Sequence, residues 1–335
     1  MFNQTMKNLP ALLALFQILL ATHTLASDYL REFERLKDSA KDEEIQDFLN
    51  KSAKTEQANP DYYATAGRYW WQLSQSVSIT SKPMEGHEIS VRDQKSGKEV
   101  GSIGTLGQTN PEIPKRAVNI LTEGVHRFPE RADIVLGLAH VQQKMGSNSE
   151  CVQTLIKLLA ISRKSPASLR WKNNDRLPTE ANQFIPEAIQ GYSAGLYQAE
   201  TKESHALCAR LCDATIEAFP DHPFAYNIKA AIASAAGDQD QALGLLKTAH
   251  LKAPDDALIL LNLGDAYMKA NQITKAKESY GAVLKLKDID GSLKEQALDA
   301  MRNAEQHGAG QPAPRPELKP KDGDQPQPKA DERSQ

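Results

Sequence analysis

Two stretches near the C-terminal end decide the fold. The first is Leu260-Leu261-Asn262-Leu263-Gly264-Asp265-Ala266-Tyr267, and the second is Ala276-Lys277-Glu278-Ser279-Tyr280 with Val283 beyond it. One period upstream, the same places hold Tyr226, Ala230, Ala242, Leu246 and Ala249, and Pro254 follows. Large residues spaced three and four apart around a small one mark one face of a helix. Each copy holds two such helices. Numbered within the repeating unit, small residues at positions 8 and 20 let the paired helices approach closely. Large residues at positions 4, 11 and 24 fill the gaps to the next pair, and a proline at position 32 helps end the second helix.

The period continues toward the N-terminus. One unit upstream, Tyr192, Leu196, Cys208, Cys212 and Pro220 fall at positions 4, 8, 20, 24 and 32. The ending Phe219-Pro220-Asp221 recurs as Phe128-Pro129-Glu130, which places Ala117 at position 20 and Leu121 at 24. The unit after it starts at Ala132, with Ala139 at position 8 and Cys151 at 20. Asn59-Pro60-Asp61-Tyr62-Tyr63 opens the first unit, with Gly67 at position 8 and Trp70 at 11. Position 20 of that unit would be Ile79, yet its second helix signature sits at Ala117, so the offset from 79 to 117 is an insertion. A gap, 166–188, separates the second and third units.

Leu260-x-x-Leu263-Gly264-x-x-Tyr267, then Ala276-x-x-x-Tyr280, resembles the tetratricopeptide repeat, a helix hairpin of about 34 residues. The resemblance implies an all-α superhelix. Repeats are expected at 60–131 (carrying an insert at about 80–113), 132–165, 189–222, 223–256 and 257–290, with a linker at 166–188. Residues 27–59 read as an N-terminal helical pair (Leu30, Phe33, Leu36; Ile45, Phe48, Leu49). Residues 291–307 read as a capping helix with Leu293, Ala297, Ala300 and Ala304 on one face. Within the insert, Ile89-Ser90-Val91 and Val100-Gly101-Ser102-Ile103 flank Asp93 to Gly97, which reads as a small β-hairpin.

The two ends read differently. Residues 1–26 have the form of a signal peptide: Lys7, an apolar run from Leu9 to Ala21, and Thr24-Leu25-Ala26 before the charged Ser27-Asp28. The run is short of the ~20 residues a membrane span needs, so an exported protein, periplasmic or secreted, is expected. No span is expected after cleavage. Residues 308–335 hold six of the 18 prolines, no aromatic residue and one large aliphatic, Leu318. Such a segment buries too little apolar surface to offset its chain entropy and is expected to be a disordered tail.

Composition narrows function. The 335 residues are 40% hydrophobic and 25% charged, with net charge −3, ordinary for a chain with a real core and unsuited to a polybasic nucleic-acid binder. Three cysteines make no disulfide framework. His205, Cys208 and Cys212 lie on one helical face and could be read as metal ligands. Cys208 and Cys151 both fall at position 20, however, where a small buried residue belongs, and cysteine packs well as one. Gly101-Ser102-Ile103-Gly104 lacks the Lys-Ser/Thr of a phosphate loop. No nucleophile–base pair stands out, so no enzyme and no cofactor is expected. The alternative is an enzyme or metal-binding protein using the insert or the His205 face.

The family resemblance implies a non-enzymatic interaction module or scaffold of the cell envelope, holding a protein or peptide in a concave groove lined by the first helix of each pair. Groove positions 5, 9, 12 and 13 offer Arg68, Trp71, His140, Gln143, Tyr197, Asn227, Asp265 and Lys269. That set is polar and aromatic, suited to a peptide rather than to a lipid or a polyanion. The pairs at positions 5 and 9, such as Ala64/Arg68 and Leu136/His140, are not the Lys/Asn of relatives that clamp chaperone tails. Oligomeric state is left open. If the segment 1–26 is a cleaved leader, mass spectrometry of the exported chain will show Ser27 as its first residue; retention of Lys7 would contradict this.

Overall fold

The computed structural model describes residues 28–82 and 89–309. The signal peptide expected at 1–26, residues 83–88 of the insert and the expected tail from 310 lie outside the described residues. The chain divides into two compact units, residues 1–259 and 260–335.

The first unit opens with helices α1 (28–39) and α2 (Asp42–Thr55). Asp42, Glu43 and Glu44 in the first turn of α2 offset the helix dipole. Tyr29, Phe33, Leu36, Ile45 and Leu49 are buried against α3 (Pro60–Ser74), whose Tyr62, Tyr63 and Trp70 complete one core with Leu121 and Ile134. The start of α3 is fixed locally. Pro60 takes the first helical position, and the Asn59 side chain accepts from the Asp61 amide at 3.0 Å.

The partner of α3 is α5 (Glu112–Arg127), and residues 75–111 lie between them. This insert is larger than a hairpin. Strands β1 (Val77–Thr80), β2 (Ile89–Arg92) and β3 (Glu99–Thr105) form an antiparallel sheet in the order β1-β3-β2. The β2–β3 pair matches the hairpin seen in sequence, with Asp93 closing its turn onto the Ser96 amide at 2.7 Å. β1 is an addition, pairing Ile79 with Ile103. The one-turn helix α4 (Leu106–Thr109) follows, and its Leu106 packs on the core.

Four hairpin helices follow: α6 (Ala132–Lys144), α7 (Asn148–Lys164), α8 (Ala181–Gln198) and α9 (Lys202–Ala218). Their second core joins Ala139, Cys151, Leu155, Ile189, Leu196, Cys208 and Leu211. Helix α8 begins well before the expected repeat boundary at 189. Pro186 sits within the second turn of α8, where it forfeits one backbone bond. Ala181, Ile185 and Ile189, four apart, bury one stripe there. The remaining linker, 166–180, is pinned to the body. Leu169 is buried, Trp171 meets the edge of Phe184 at 4.9 Å, and the Arg170 carbonyl accepts from the Ala132 amide at 3.0 Å.

Helices α10 (Phe224–Ala235) and α11 (Gln239–Lys252) pair through Ala230, Ala242 and Leu246, and the unit ends in the first turn of α12 (Ala257–Lys269). The second unit holds the rest of α12, α13 (Ile273–Lys285) and α14 (Gly291–Ala309). Position 15 takes left-handed backbone at Gly146, Gly237 and Asn271, residue types that tolerate it.

The packing rule inferred from the repeat is visible atom by atom. Position 20 is at most 1% exposed at Ala117, Cys151, Cys208, Ala242 and Ala276. At position 8, a Cβ built on Gly67 would lie 2.5 Å from Leu121 Cγ, and one on Gly264 would collide with the Tyr280 ring. Gly137, in the interior of α6, has room: its nearest contact would be Leu121 Cδ2 at 3.6 Å. Gly264→Ala and Gly67→Ala should each cost about 1–3 kcal/mol by overpacking. Gly137→Ala should be neutral or stabilise by up to ~1 kcal/mol. Urea melts of the three variants check this, and equal effects would contradict the close approach at position 8.

Candidate functional site

The first helices of successive hairpins carry the residues singled out in sequence. Arg68 and Trp71 stand on α3, His140 and Gln143 on α6, Tyr197 on α8 and Asn227 on α10. Asp265 and Lys269 stand on α12, in the second unit.

Two of them meet directly across the α3–α6 boundary. The half-buried Trp71 ring and the His140 ring sit edge to face, with centroids 6.2 Å apart and planes at 84°. Partial burial and the neighbouring Lys144 ammonium lower the proton affinity of His140, which favours a neutral imidazole at pH 7. Arg68 is exposed and borders a cleft of about 340 Å³ between the N-terminal helical pair and α3, with Glu34, Lys37, Asp42 and Gln72 around it.

Gln143 and Asp265 are committed to the fold. Gln143 Nε2 donates to the Tyr192 carbonyl at 3.2 Å, and the Tyr192 hydroxyl donates to the Leu136 carbonyl at 2.9 Å. These two bonds brace α6 against α8, so Gln143 is a brace more than a free groove side chain. Tyr197 stacks on His205 at 5.2 Å, planes 14° apart. Asp265 accepts from the buried Tyr280 hydroxyl at 2.6 Å, within its own unit. Asn227 is half-buried and Lys269 exposed.

The His205, Cys208 and Cys212 constellation does not converge. His205 Nε2 lies 3.1 Å from the Tyr197 carbonyl, on the side of its ring partner. Cys208 is fully buried at position 20 and donates to the Ser193 carbonyl at 3.2 Å. Cys212 is also fully buried, and its hydrogen bond with Cys208, then burial, raises its pKa. Among the described residues no group of three or more His, Cys, Asp or Glu side chains is placed to hold a metal. The repeat uses these cysteines as small packing residues.

A buried ionic cluster was missed in sequence. Arg131 is 1% exposed, and its guanidinium reaches Asp61 at 2.6 Å and both oxygens of Asp133 at 2.9 Å. Asp61 also accepts from the Asn173 amide at 3.2 Å. Asp61 and Asp133 occupy position 2 of the first two repeats, and that repetition was the available signal. The cluster ties α3, α6 and the 166–180 segment together, and its acids are occupied by Arg131.

Residues 233–288 match the family model described as tetratricopeptide repeat. That segment, from the end of α10 through α13, is of the tetratricopeptide type. No curated protein matches the chain. Among solved structures, it is similar to the tetratricopeptide protein TTC0263 of Thermus thermophilus at 16% identity, covering 58% of this chain and 93% of that one, TM-score 0.36. It is similar to YrrB, described as a tetratricopeptide protein with an unusual peptide-binding site, at 15% identity over 58% of this chain and 86% of that one, TM-score 0.37. A tetratricopeptide protein of Parabacteroides merdae is 13% identical, covering 84% of this chain and 93% of that one, TM-score 0.38. The described residues include no helix long and apolar enough to cross a membrane.

The repeat packing makes a test of the thiols. All three cysteines are free and buried, and burial pushes the Cys151 pKa up to about 12. The native thiol stays protonated where an unfolded cysteine ionises, near 8.5, so this group lowers stability as pH rises beyond that value. A thiol reagent at pH 7–9 should label none of the three rapidly in the native state and all three promptly in denaturant. Fast native labelling would contradict the repeat register.

Proposed function

We propose that the first unit binds an extended segment of a protein partner on the surface formed by the first helices of its hairpins, centred on Trp71 and His140. The protein acts as a non-enzymatic scaffold, exported to the cell envelope by its N-terminal segment. One observation carries the proposal. A tryptophan at position 12 of one repeat and a histidine at position 9 of the next form an edge-to-face pair that remains partly open to solvent. A packing role alone would bury the indole, whereas a half-buried aromatic beside a neutral imidazole offers apolar area and a polar tip together. Arg68 on α3 adds a charge, and Tyr197 on α8 extends the aromatic surface. Such residues dominate binding energy at protein interfaces, while their neighbours exclude water.

The test is quantitative capture of native envelope proteins by the purified chain. Trp71→Ala combined with Tyr197→Ala should weaken capture of its specific partner by about 1–3 kcal/mol, the scale of interface anchors. Far-ultraviolet circular dichroism should show unchanged helicity. Unchanged affinity in the double variant would contradict the proposal.

A further inference from the structure

The second helices of the first two repeats do not close on one another. Helix α7 packs along α9, whereas α5 packs on α3 and α6 and not along α7. The space between α5 and α7 is a furrow floored by α6. Its upper part is a cleft of about 450 Å³ with Val125, Val135, Leu138, Leu158 and Ile161 as apolar walls. A lower cleft of about 420 Å³ continues it, sharing Pro129 and Ile161, with Glu130 and Lys164 at its rim. None of the residues of the Trp71–His140 surface lines either cleft.

The floor is polar at one point. Gln142 and Thr154 are 9% and 7% exposed, both line the upper cleft, and the Thr154 hydroxyl donates to Gln142 Oε1 at 2.9 Å. At the place equivalent to Gln142 the other repeats have Trp70, Ala199, Ala233 and Tyr267. Among the described residues nothing accepts from Gln142 Nε2. An amide edge desolvated this far is unfavourable unless an acceptor meets it. On α7, Glu150 stands one turn before Thr154 and Lys157 one turn after. Both are exposed at the rim, and neither side chain has a partner among the described residues. Acid and base are thus two turns, roughly 10 Å, apart along the helix, with the buried amide between them.

We propose that this furrow is a second binding site, independent of the surface on the first helices, and that it takes an extended peptide segment of a protein partner. Three features specify that occupant. A peptide group presents a carbonyl and an N–H side by side, and Gln142 Nε2 and the Thr154 hydroxyl oxygen offer the matching donor and acceptor. The furrow is linear: from Glu150 to Lys164, α7 runs roughly 21 Å, the span of about six extended residues.

Charge is the third feature. The segment that fits carries a basic side chain at Glu150 and an acidic one at Lys157, with an apolar side chain between them against Val135, Leu138 and Leu158. A small polar molecule would leave most of the apolar wall wet. A lipid chain would leave the Gln142 amide edge unpaired.

Selection from a displayed random heptapeptide library tests this. The bait is the purified chain carrying Trp71→Ala and Tyr197→Ala, which removes the competing surface, and the selected peptides are then titrated calorimetrically into the unsubstituted chain. They should bind more tightly than about millimolar and share an acidic and a basic residue about three places apart. Gln142→Leu combined with Thr154→Val removes both polar partners at similar volume, so melting should be unchanged or raised, while affinity falls at least roughly fivefold. Glu150→Lys with Lys157→Glu should weaken the same peptides and restore binding to a synthetic peptide with its acid and base exchanged. A selection that yields no binder overturns the proposal, as do binders indifferent to Gln142→Leu with Thr154→Val, or a charge exchange that rescues nothing. A synthetic peptide of residues 310–335 that binds as tightly as the selected ones would make the occupant this chain's own and overturns it too. So do phosphatidylglycerol vesicles that displace the peptides.

Discussion

Two helices can approach only as closely as the bulkiest residue between them permits, and each hairpin here depends on that limit. Position 20 is a fully buried alanine or cysteine in every repeat. Where position 8 is glycine, a leucine or tyrosine from the facing helix lies directly on the helix backbone, as Leu121 does at Gly67 and Tyr280 at Gly264. The large residue is accommodated because the small one leaves room. That reciprocal fit gives dispersion contacts along the whole seam. It explains why cysteines can occupy position 20 with no chemistry attached. It also makes stability local, since each hairpin leans on its neighbours and on little else.

The one large departure from local packing is ionic. Arg131, buried between Asp61 and Asp133, joins the start of the first repeat to that of the second, and Asp61 holds the Asn173 amide besides. A buried charge is costly alone, and breaking one such pair typically costs about 3–5 kcal/mol. With two carboxylates and a backbone amide satisfied together, the cluster fixes how the first two repeats meet and where the 166–180 segment crosses them. An apolar trio could match its stability but would fix that geometry less tightly.

Helix pairs were legible in sequence because the period of small and large residues is set by this contact geometry. The hairpin of β2 and β3 was legible because Asp93 to Gly97 is strong turn chemistry between β-branched runs. β1 was not, since Val77-Ser78-Ile79-Thr80 is a short run that pairs with a strand far along the chain. The start of α8 was missed because the period places a unit boundary at 189, whereas the helix begins at Ala181. Among the groove candidates, position alone identified residues on the first helix of each pair. It could not show that Gln143 is held by Tyr192 or Asp265 by Tyr280, because those bonds depend on rotamers and on neighbouring helices. The row of isoleucines across the sheet was invisible until register placed Ile79, Ile103 and Ile89 side by side.

The central claim is that hairpin-to-hairpin contact holds the body, while the small sheet is appended to it. Native-state amide hydrogen exchange at low protein concentration measures this directly, since protection reports the free energy of opening each segment. Amides of α3, α5, α6, α7 and α9 should be the slowest and exchange together. Those of β1, β2 and β3 should exchange orders of magnitude faster, without loosening the helices. Sheet amides as protected as those of α3 would show that the insert folds as part of the core, and would contradict the account.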